Sequence, residues 1–459
     1  MSNDPARPSG PADEVTQSKG TVTFRDIFAL PEYRALYLST VVNWVGDYLS
    51  RAAVTVLVYH QSESVLLSAV SFAIGYLPWF FGPVLAALAD RYPYRRIMIV
   101  SDLCRMVLIA LLLIPGLPVP VMLLVLLLAG LGAPPTQAAR SALLPVIVGR
   151  ERLALALATN QTTGQAAQVF GYLVGATLAV ALTPRIALGI DVATFALSAL
   201  LIAFGVRRRP TVQAPSQRTH LLQETAEGFR LVFGHPALRS IAIVVFTATV
   251  FAIVPEGLAA AWAAEGTRDP ATRGLDQGMI MAAGPLGFVI GGILFNRLVP
   301  AAERARLIPY LAVLPPLFLV PSLLGPPAEI VALLVMLSGV VQGALLPTLN
   351  ATFVLALPQS FRARAFGVMN SGVQLSQFGA VMITGTLADH FWLPLVVGLW
   401  SIGGTLAMVV LAISWPSQQT FTEAVEAANR PEPAHQADGP GSARLPTTSV
   451  TPERPQPRR

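Results

Sequence analysis

The sequence predicts an all-α membrane protein with twelve transmembrane helices arranged as two pseudo-symmetric six-helix bundles. Three observations predict it: the number of long apolar runs, the confinement of arginine to alternate loops, and an internal repeat. The 459 residues are 54% hydrophobic and only 12% charged, whereas about 25% of the residues in an ordinary soluble domain are charged. This composition excludes a water-soluble globular enzyme.

The composition also excludes several kinds of site. Cys104 is the single cysteine, so neither a disulfide framework nor a multi-cysteine metal site is expected. Five histidines spread along the chain leave little for a histidine cluster. The net charge of +6 lies in short clusters between apolar runs, whereas a nucleic-acid-binding chain gathers its basic residues on one face or tail. We therefore expect no metal, no cofactor and no nucleic-acid partner.

Long apolar runs set the number of spans, because a bilayer core of about 30 Å needs roughly 20 apolar residues in a helix. We find twelve such runs. They cover residues 34–60, 65–89, 97–115, 119–143, 155–182, 187–206, 238–263, 277–298, 306–324, 328–354, 366–389 and 391–415.

The segments outside these runs define the domain organisation. Residues 1–24 and 417–459 are polar and predicted to be disordered cytoplasmic tails, since they cannot bury enough apolar surface to fold. The first tail has no cleavable signal-peptide pattern. The N-terminal bundle is predicted at 25–206, a cytoplasmic linker at 207–237 and the C-terminal bundle at 238–416.

Arginine is confined to alternate loops, which predicts the orientation because basic residues are retained on the cytoplasmic side. One set of loops contains clusters around residues 91–96, 140–152, 207–239, 297–306 and 362–364. The alternate loops contain only Arg185, Arg268 and Arg273. We expect an even number of spans and both termini in the cytoplasm.

The long linker after the sixth run is predicted to carry a helix at the cytoplasmic membrane surface. Its apolar side chains recur at near-helical spacing among charged ones. They are Leu221, Leu222, Thr225, Phe229, Val232 and Phe233, and the interleaved charges are Glu224, Glu227 and Arg230. A solvated linker is the alternative.

The two halves echo one another at a nearly constant offset, as duplicated bundles do. The matching pairs, in order, are Asp90-Arg91 with Asn296-Arg297, Pro135-Thr136 with Pro347-Thr348, Arg152 with Arg364, and Gln165/Gln168 with Gln374/Gln377. The order and span numbers match, which predicts a parallel repeat of six helices.

The chain resembles the major facilitator superfamily over roughly residues 25–416. The loop after the second run reads G-P-V-L-A-A-L-A-D-R-Y-P-Y-R-R and resembles the superfamily signature. The matching positions are Gly82, Asp90, Arg91, Arg95 and Arg96. Pro93 or Tyr94 replaces the usual glycine of that turn.

Three further stretches are similar to bacterial drug and siderophore exporters, such as enterobactin exporters and macrolide efflux proteins. They read V-G-D-Y-L-S-R-A-A in the first run, E-G-F-R-L-V-F-G-H-P-A-L-R in the linker and F-R-A-R-A-F-G-V-M-N before the eleventh run. The resemblance implies a monomeric, proton-coupled exporter of a hydrophobic or amphipathic small molecule in the bacterial cytoplasmic membrane.

Two alternative functions remain open at this point. The exporters' glycine-proline pair in the fifth run corresponds to Gly171-Tyr172 here, so the antiport motif is incomplete. An uptake facilitator or uniporter of the same fold is therefore one alternative. A membrane sensor or scaffold that transports nothing is the other.

The signature loop is predicted to be a gate latch at the cytoplasmic end. Asp90 can accept hydrogen bonds from a helix N-terminus, and Arg91, Arg95 and Arg96 can pair with carboxylates of the opposite bundle. The orientation rule alone would also place three arginines at this turn, but it explains neither Asp90 nor Gly82.

Ionisable residues within the apolar runs are expensive to insert and therefore need a partner or a purpose. Asp47 and Arg51 are four residues apart and predicted to share a helical face. They are either a permanent ion pair or proton-coupling residues. Burial raises the pKa of a carboxyl group and a nearby arginine lowers it, so an arginine that moves can change whether the carboxyl group holds a proton. Glu256, after Pro255, is the second proton candidate; the alternative is a neutral carboxyl that hydrogen-bonds a backbone carbonyl.

Two further charged positions in the runs are given simpler roles. Asp102 and Arg105 are three residues apart, and we expect them to form an intramembrane structural pair. Asp191 lies about two turns into the sixth run and is expected to reach interfacial water.

A substrate cavity is expected near mid-membrane between the halves. Uncharged polar side chains at helical spacing mark its walls, and they suit a large amphipathic solute better than a phosphate. They are Asn43, Gln137, Asn160, Gln165, Gln168, Asn370, Gln374 and Gln377. The alternative is that these amides join helix to helix, with Gly164, Gly171 and Gly175 permitting close packing.

Overall fold

The computed structural model describes residues 23–82, 84–85, 92–209, 221–266, 269–357 and 362–429. Within these residues the chain is almost entirely helical, which confirms the predicted fold class. The predicted disorder of residues 1–22 and 430–459 lies outside the described residues.

All twelve predicted runs are helical over the residues that the structure describes, and we number them spans one to twelve in chain order. Their bounds are Pro31–Ser62; Val65–Ala73 continued by a 3-10 helix Ile74–Phe81; Tyr94–Leu111; Val119–Gly130 with Ala133–Val148; Arg150–Ala181; Pro184–Gly205; Pro236–Ala252 with Val254–Gly266; Pro270–Leu298; Ala301–Leu319 continued by a 3-10 helix Val320–Leu324; Ala328–Leu355; Arg362–Ala388; and Leu393–Ile413. Phe24–Phe28, Leu221–Gly234 and Gln418–Asn429 form additional helices.

Eight helical segments among the described residues are long and apolar enough to cross a bilayer. They correspond to spans four to ten and span twelve. The remaining four are spans one, two, three and eleven. Span two is apolar, but its described helix, Val65–Phe81, is shorter than the eight. Spans one and three carry the predicted intramembrane charges and span eleven carries several amides and arginines, which lower their hydropathy.

Proline determines where several spans begin and where one is broken. Pro31, Pro184 and Pro236 occupy the first turn of spans one, six and seven, where a missing N–H leaves no hydrogen bond unmade. Inside span seven the helix is interrupted at Ile253, directly before Pro255. The interruption places Glu256 at the start of a new helical segment at mid-span.

The C-terminal tail differs from its prediction. Residues 417–459 were expected to be disordered, but Gln418–Asn429 is a helix. Phe421 and Val425 pack against the core of the C-terminal bundle, and Phe421 stacks on Trp415 with ring centroids 5.4 Å apart. Two apolar side chains one turn apart therefore give this part of the tail enough contact to fold.

The linker contains a helix at Leu221–Gly234, but one apolar side chain faces the protein. Val232 is completely buried in the core of the C-terminal bundle. Glu227 accepts a 2.5 Å hydrogen bond from Arg364 of span eleven. Phe229 is about half exposed. The helix is therefore attached to span eleven through part of its surface, and the side chains of residues 221–225 lie outside the described set.

The start of the linker is tied to the N-terminal bundle through Glu32. The Arg209 guanidinium donates to both carboxylate oxygens of Glu32, and the backbone N–H of Arg207 donates to one of them at 3.0 Å. These donors bond most strongly to an ionised carboxylate. The contact is therefore strongest when Glu32 is ionised.

Spans one to six and seven to twelve form the two halves. Within the halves, span one packs along spans five and six, and span eight packs along span ten. Between the halves, span five packs against span eight and span two against span eleven. These helix pairs frame the space in which the candidate site lies.

Candidate functional site

A cavity of about 480 Å³ lies between the two halves. Its walls come from spans one to eight, ten and eleven, with a contribution from span nine. The volume falls within the range of about 300–1,000 Å³ found for sites that bind drug-sized molecules. One chain supplies both walls, so the site is complete in a single copy.

Six of the eight predicted amides line this cavity. They are Asn43, Gln137, Gln165, Gln168, Gln374 and Gln377. Asn160 and Asn370 do not line it, contrary to the expectation. Each lies four or five residues before its nearest lining glutamine, which is about 6–7.5 Å along a helix, and Asn370 is exposed. Helical spacing identified the correct face but not the depth at which the cavity ends.

Aromatic side chains form a second part of the wall that the sequence analysis did not identify. Trp44, Tyr48, Tyr76, Tyr172 and Phe288 all line the cavity, and the rings of Tyr48 and Tyr172 meet edge to face at 5.2 Å. The spacing of Trp44 and Tyr48, one helical turn apart beside Asp47, was the available signal. Rings and amides together give a wall that is apolar in area and polar at a few points.

Glycines in span five permit its close approach to span one. A Cβ added at Gly171 would lie 2.6 Å from Cβ of Tyr48, and one at Gly175 would lie 2.7 Å from Cα of Leu49. A Cβ at Gly164 would lie 3.3 Å from the Trp44 ring. Real Cβ atoms do not approach other heavy atoms as closely as 2.6 or 2.7 Å. Gly171 and Gly175 are therefore required for the close packing of spans one and five.

Asp47 pairs across the bundle, not along its own helix. Its carboxylate accepts a 2.6 Å hydrogen bond from Arg105 of span three. The expected pairing of Asp47 with Arg51 is therefore wrong in this structure. Arg51 instead donates to the Tyr76 hydroxyl at 3.3 Å and lies over the Phe72 and Tyr76 rings. Neighbouring helices offer partners at better distances than the next turn does.

The expected pair of Asp102 and Arg105 is also wrong. Asp102 is completely buried and accepts hydrogen bonds from Ser198 at 2.6 Å and Asn43 at 3.1 Å. Arg105, whose guanidinium bonds Asp47, lies over the Phe195 ring at 4.4 Å. Asp102 thus joins spans one, three and six through neutral donors. The Asn43 amide group is committed to this network although the residue lines the cavity.

Glu256 lines the cavity from the C-terminal half. Its Oε2 atom is buried and has no hydrogen-bond partner among the described residues, so this oxygen makes no bond to a carbonyl freed by Pro255. A Cβ at Gly284 would lie 3.2 Å from Oε1. A carboxyl oxygen that lacks a partner in a cavity wall is available to a proton or to a bound solute.

Two further charged residues, Arg140 and Asp191, line the cavity, although the sequence predicted other positions for both. Arg140 was counted with the cytoplasmic loops, but it lies within span four, is 6% exposed, and leaves Nε and Nη2 without partners among the described residues. Asp191 was expected to reach interfacial water, but it is completely buried. Arg140 was missed because arginines were assigned to loops by their order along the chain. Asp191 was missed because burial was judged from its distance to the start of the helix.

The predicted latch loop is only partly described. Asp90 and Arg91 lie outside the described residues. Arg95 donates a hydrogen bond to the carbonyl of Ala203 in the same half, and Arg96 is exposed. No heavy atom lies within 4 Å of a Cβ added at Gly82. Its role as a latch stays a prediction.

The halves are joined at the end that the arginine distribution predicts to be extracytoplasmic. Asp389, after span eleven, accepts from the backbone N–H groups of Val65 at 2.9 Å and Leu66 at 3.4 Å and from the Ser64 hydroxyl at 3.1 Å. This carboxylate caps the N-terminus of span two. Gln277 of span eight donates to the carbonyl of Ala52 at 3.2 Å and the hydroxyl of Thr55 at 2.9 Å.

Comparison with known proteins places this architecture among transporters. A family model described as the Major Facilitator Superfamily matches residues 36–318. The multidrug efflux pump Tap of Mycolicibacterium fortuitum is 27% identical over 358 residues, which cover 75% of this chain and 86% of that protein.

Solved structures of the same fold are more distant in sequence. A peptide transporter, POT, in complex with sulfate has a TM-score of 0.64 and 14% identity, covering 89% of this chain and 97% of that one. A bacterial homologue of the iron transporter ferroportin in an inward-facing state has a TM-score of 0.62 and 15% identity, covering 85% and 100%. These likenesses concern the fold alone.

Proposed function

Because the chain belongs to the Major Facilitator Superfamily, we propose that it is a proton-coupled exporter of hydrophobic or amphipathic small molecules that works by alternating access. It acts as a monomer in the bacterial cell membrane with both termini in the cytoplasm. The observation that carries the proposal is the cavity between the halves, with its wall of amides and aromatic rings and its partnerless Glu256 oxygen.

The chemistry of the wall supports a large amphipathic solute. Aromatic rings offer apolar area to a flat or bulky molecule, and the glutamines offer hydrogen bonds without a fixed charge requirement. Three arginines and three acids line the cavity, and one of each is already paired, namely Arg105 with Asp47. The two other arginines, Arg51 and Arg140, are matched in number by Asp191 and Glu256, so the cavity has no excess of arginine that would favour a phosphate or dicarboxylate.

The direction of transport is supported by the relative named as a multidrug efflux pump. Coupling to protons is supported by carboxylates in the cavity wall. Asp47 and Glu256 stand in opposite halves, and an ionised carboxylate in a membrane is costly without a partner. Protonation of Glu256 and exchange of partners by Asp47 are ways to link proton movement to the rocking of the halves.

Alternating access requires each end of the cavity to close in turn. The contacts of Asp389 and Gln277 close the extracytoplasmic end and must break when that end opens. The loop from Gly82 to Arg96 closes the cytoplasmic end in the opposite conformation. Asp90→Asn should therefore slow transport while solute binding stays nearly unchanged, and normal transport by that variant would refute the latch.

Purified protein in liposomes with an imposed pH gradient tests the proposal, with ethidium, an aromatic cation, as the probe. We expect ethidium to accumulate on the side from which protons leave, and the accumulation to be lost in Asp47→Asn or Glu256→Gln. Glu303→Gln, which changes an exposed carboxylate, is the matched control. Equilibration of ethidium without accumulation would instead indicate a uniporter, and no movement would indicate a protein that does not transport this class.

A further inference from the structure

Asp191 of span six is a buried carboxylate without a complete set of partners. Its side chain is completely buried and lines the cavity. Oδ1 accepts a 3.1 Å hydrogen bond from the hydroxyl of Thr194. Oδ2 has no hydrogen-bond partner among the described residues. Buried carboxylate oxygens in native proteins are normally paired, so this one points to a ligand that the described residues do not supply.

Gly46 places this carboxylate beside Asp47. A Cβ at Gly46 would overlap Oδ1 of Asp191 and the hydroxyl of Thr194, so spans one and six approach this closely because position 46 lacks a side chain. The next residue in span one is Asp47, which lines the same cavity. The sequence V-G-D therefore brings two carboxylates from different helices together.

Of these two carboxylates, Asp47 alone has a guanidinium partner among the described residues. Arg105 bonds Asp47 at 2.6 Å, and its Nε atom has no partner among the described residues. Asp102 of the same span is occupied by neutral donors, and Arg51 faces Tyr76. Asp191 thus faces Asp47 and Arg105, which already neutralise each other, while Arg140 of span four interacts mainly with Asp102.

Physical chemistry then requires a further positive charge. An ionised carboxylate in a low-dielectric site without its own partner is strongly disfavoured, and two adjacent carboxylates with one cation favour a single shared proton. The geometry places that proton on Asp191 while Arg105 is bonded to Asp47. If Arg105 turned to Asp191, the proton would be favoured on Asp47.

We propose that Asp191 is a proton-binding residue of the N-terminal half and forms one proton site with Asp47 and Arg105. The inference rests on the proposed proton coupling only in its transport role, since the bound proton is detectable without transport. It adds a third carboxylate to the two candidates from the sequence.

The first test is infrared spectroscopy of the full-length protein at neutral pH. Exposed carboxyl groups are ionised there, since their ordinary pKa values are about 4. We expect the wild type to show the carbonyl stretch of a protonated carboxylic acid, and we expect Asp191→Asn to lose an intensity equal to one carboxyl per chain. Glu303→Gln, at an exposed site, should leave it unchanged. A band of equal intensity in Asp191→Asn would overturn the proposal.

A second variant protects this test from a folding defect. Asp191→Glu retains the carboxyl group, and we expect the acid band to persist in it at a shifted frequency. Size-exclusion profiles of both variants should match the wild type. If all three proteins showed the same acid band, in frequency and in intensity, the proton would reside elsewhere and the assignment would be overturned.

The transport arm separates this inference from the proposed function. In liposomes, a pH gradient should no longer drive the accumulation of ethidium in Asp191→Asn, whereas Glu303→Gln, at an exposed site, should accumulate it as the wild type does. Accumulation equal to the wild type would overturn the role in coupling. If the wild type moved no ethidium, the proposed function would be refuted. If the acid band were nevertheless absent from Asp191→Asn, the proton site would remain supported.

Discussion

Replacing Asp389 with alanine should open the extracytoplasmic end of the protein. The side chain accepts from two backbone N–H groups and one hydroxyl at the N-terminus of span two. Loss of a side-chain cap at a helix N-terminus typically costs about 1 kcal/mol, within a range of roughly 0.5–2. Asp389 is exposed, so we use the middle of that range, about 1 kcal/mol.

This energy acts on the conformational equilibrium because the contact joins the two halves. An alternate conformation that separates them lacks the contact in the wild type as well as in the variant, so only the closed state loses stability. A change of about 1 kcal/mol corresponds to about a fivefold change in the ratio of the two populations. A shift of that size is large enough to measure directly.

Distances between two spin labels provide the assay. Leu182 and Leu324 are exposed at the C-terminal ends of spans five and nine, one in each half and on the side predicted to be extracytoplasmic. Both are replaced by cysteine in a Cys104→Ser background, because Cys104 is exposed and would also be labelled. Double electron–electron resonance should then show a long-distance population that rises about fivefold relative to the short one in Asp389→Ala.

The neighbouring His390 offers a matched control. Its ring bonds the carbonyl of Thr386 in its own helix, so His390→Ala removes a polar side chain at the same end without a described contact to the other half. We expect wild-type distances in this control. If Asp389→Ala gave the same population ratio as the wild type, the closing role of Asp389 would be refuted.

Three further predictions follow from particular contacts. Gly175→Ala should lower the melting temperature of the detergent-solubilised protein, since overpacking costs about 1–3 kcal/mol; Gly189→Ala, with no atom within 4 Å of the added Cβ, should not, and equal effects would disprove the packing argument. Arg105→Gln should destabilise the protein by about 1–3 kcal/mol, because it leaves the partly buried Asp47 carboxylate without its partner. Asp47→Asn in the same chain should restore part of that loss, and a double variant no more stable than the single one would contradict the pairing. Glu32→Gln should speed hydrogen exchange at the start of the linker, because the variant loses the charge that Arg209 and the Arg207 N–H bind; equal exchange in both proteins at neutral pH would argue against the contact.

The helices were predictable from the sequence because the bilayer imposes a strong requirement. A run of about 20 apolar residues has few alternatives to a spanning helix, and all twelve runs are helical. Charged and amide side chains lower the hydropathy of spans one, three and eleven, yet these spans supply much of the cavity wall. In these helices the polar residues that lower hydropathy are the candidates for function.

The side-chain pairings were not predictable in the same way. Residues four apart share a helical face, which favoured Asp47 with Arg51, but a bundle offers each side chain partners on several neighbouring helices. The partner of Asp47 depends on how span three is placed, and this placement leaves Asp102 to Asn43 and Ser198. Local spacing contains no information about that choice.

Two functional candidates were missed because a rule for topology was applied to residues inside the cavity. Arg140 follows the distribution that predicts a cytoplasmic loop, although it is buried within span four. Asp191 lies near a helix start, and burial depends on its neighbours, not on its distance from that end. The contact of Asp389 with span two joins residues more than 300 positions apart, and no local pattern indicates it.

Proton movement driven by a solute gradient tests proton-coupled export most directly. Liposomes containing the purified protein and an enclosed pH-sensitive dye are given an outward gradient of ethidium with no pH gradient. Exchange in opposite directions predicts that the lumen becomes more acidic as ethidium leaves, and that Glu256→Gln abolishes the acidification. Efflux of ethidium through the wild-type protein with no change in luminal pH would contradict proton-coupled export.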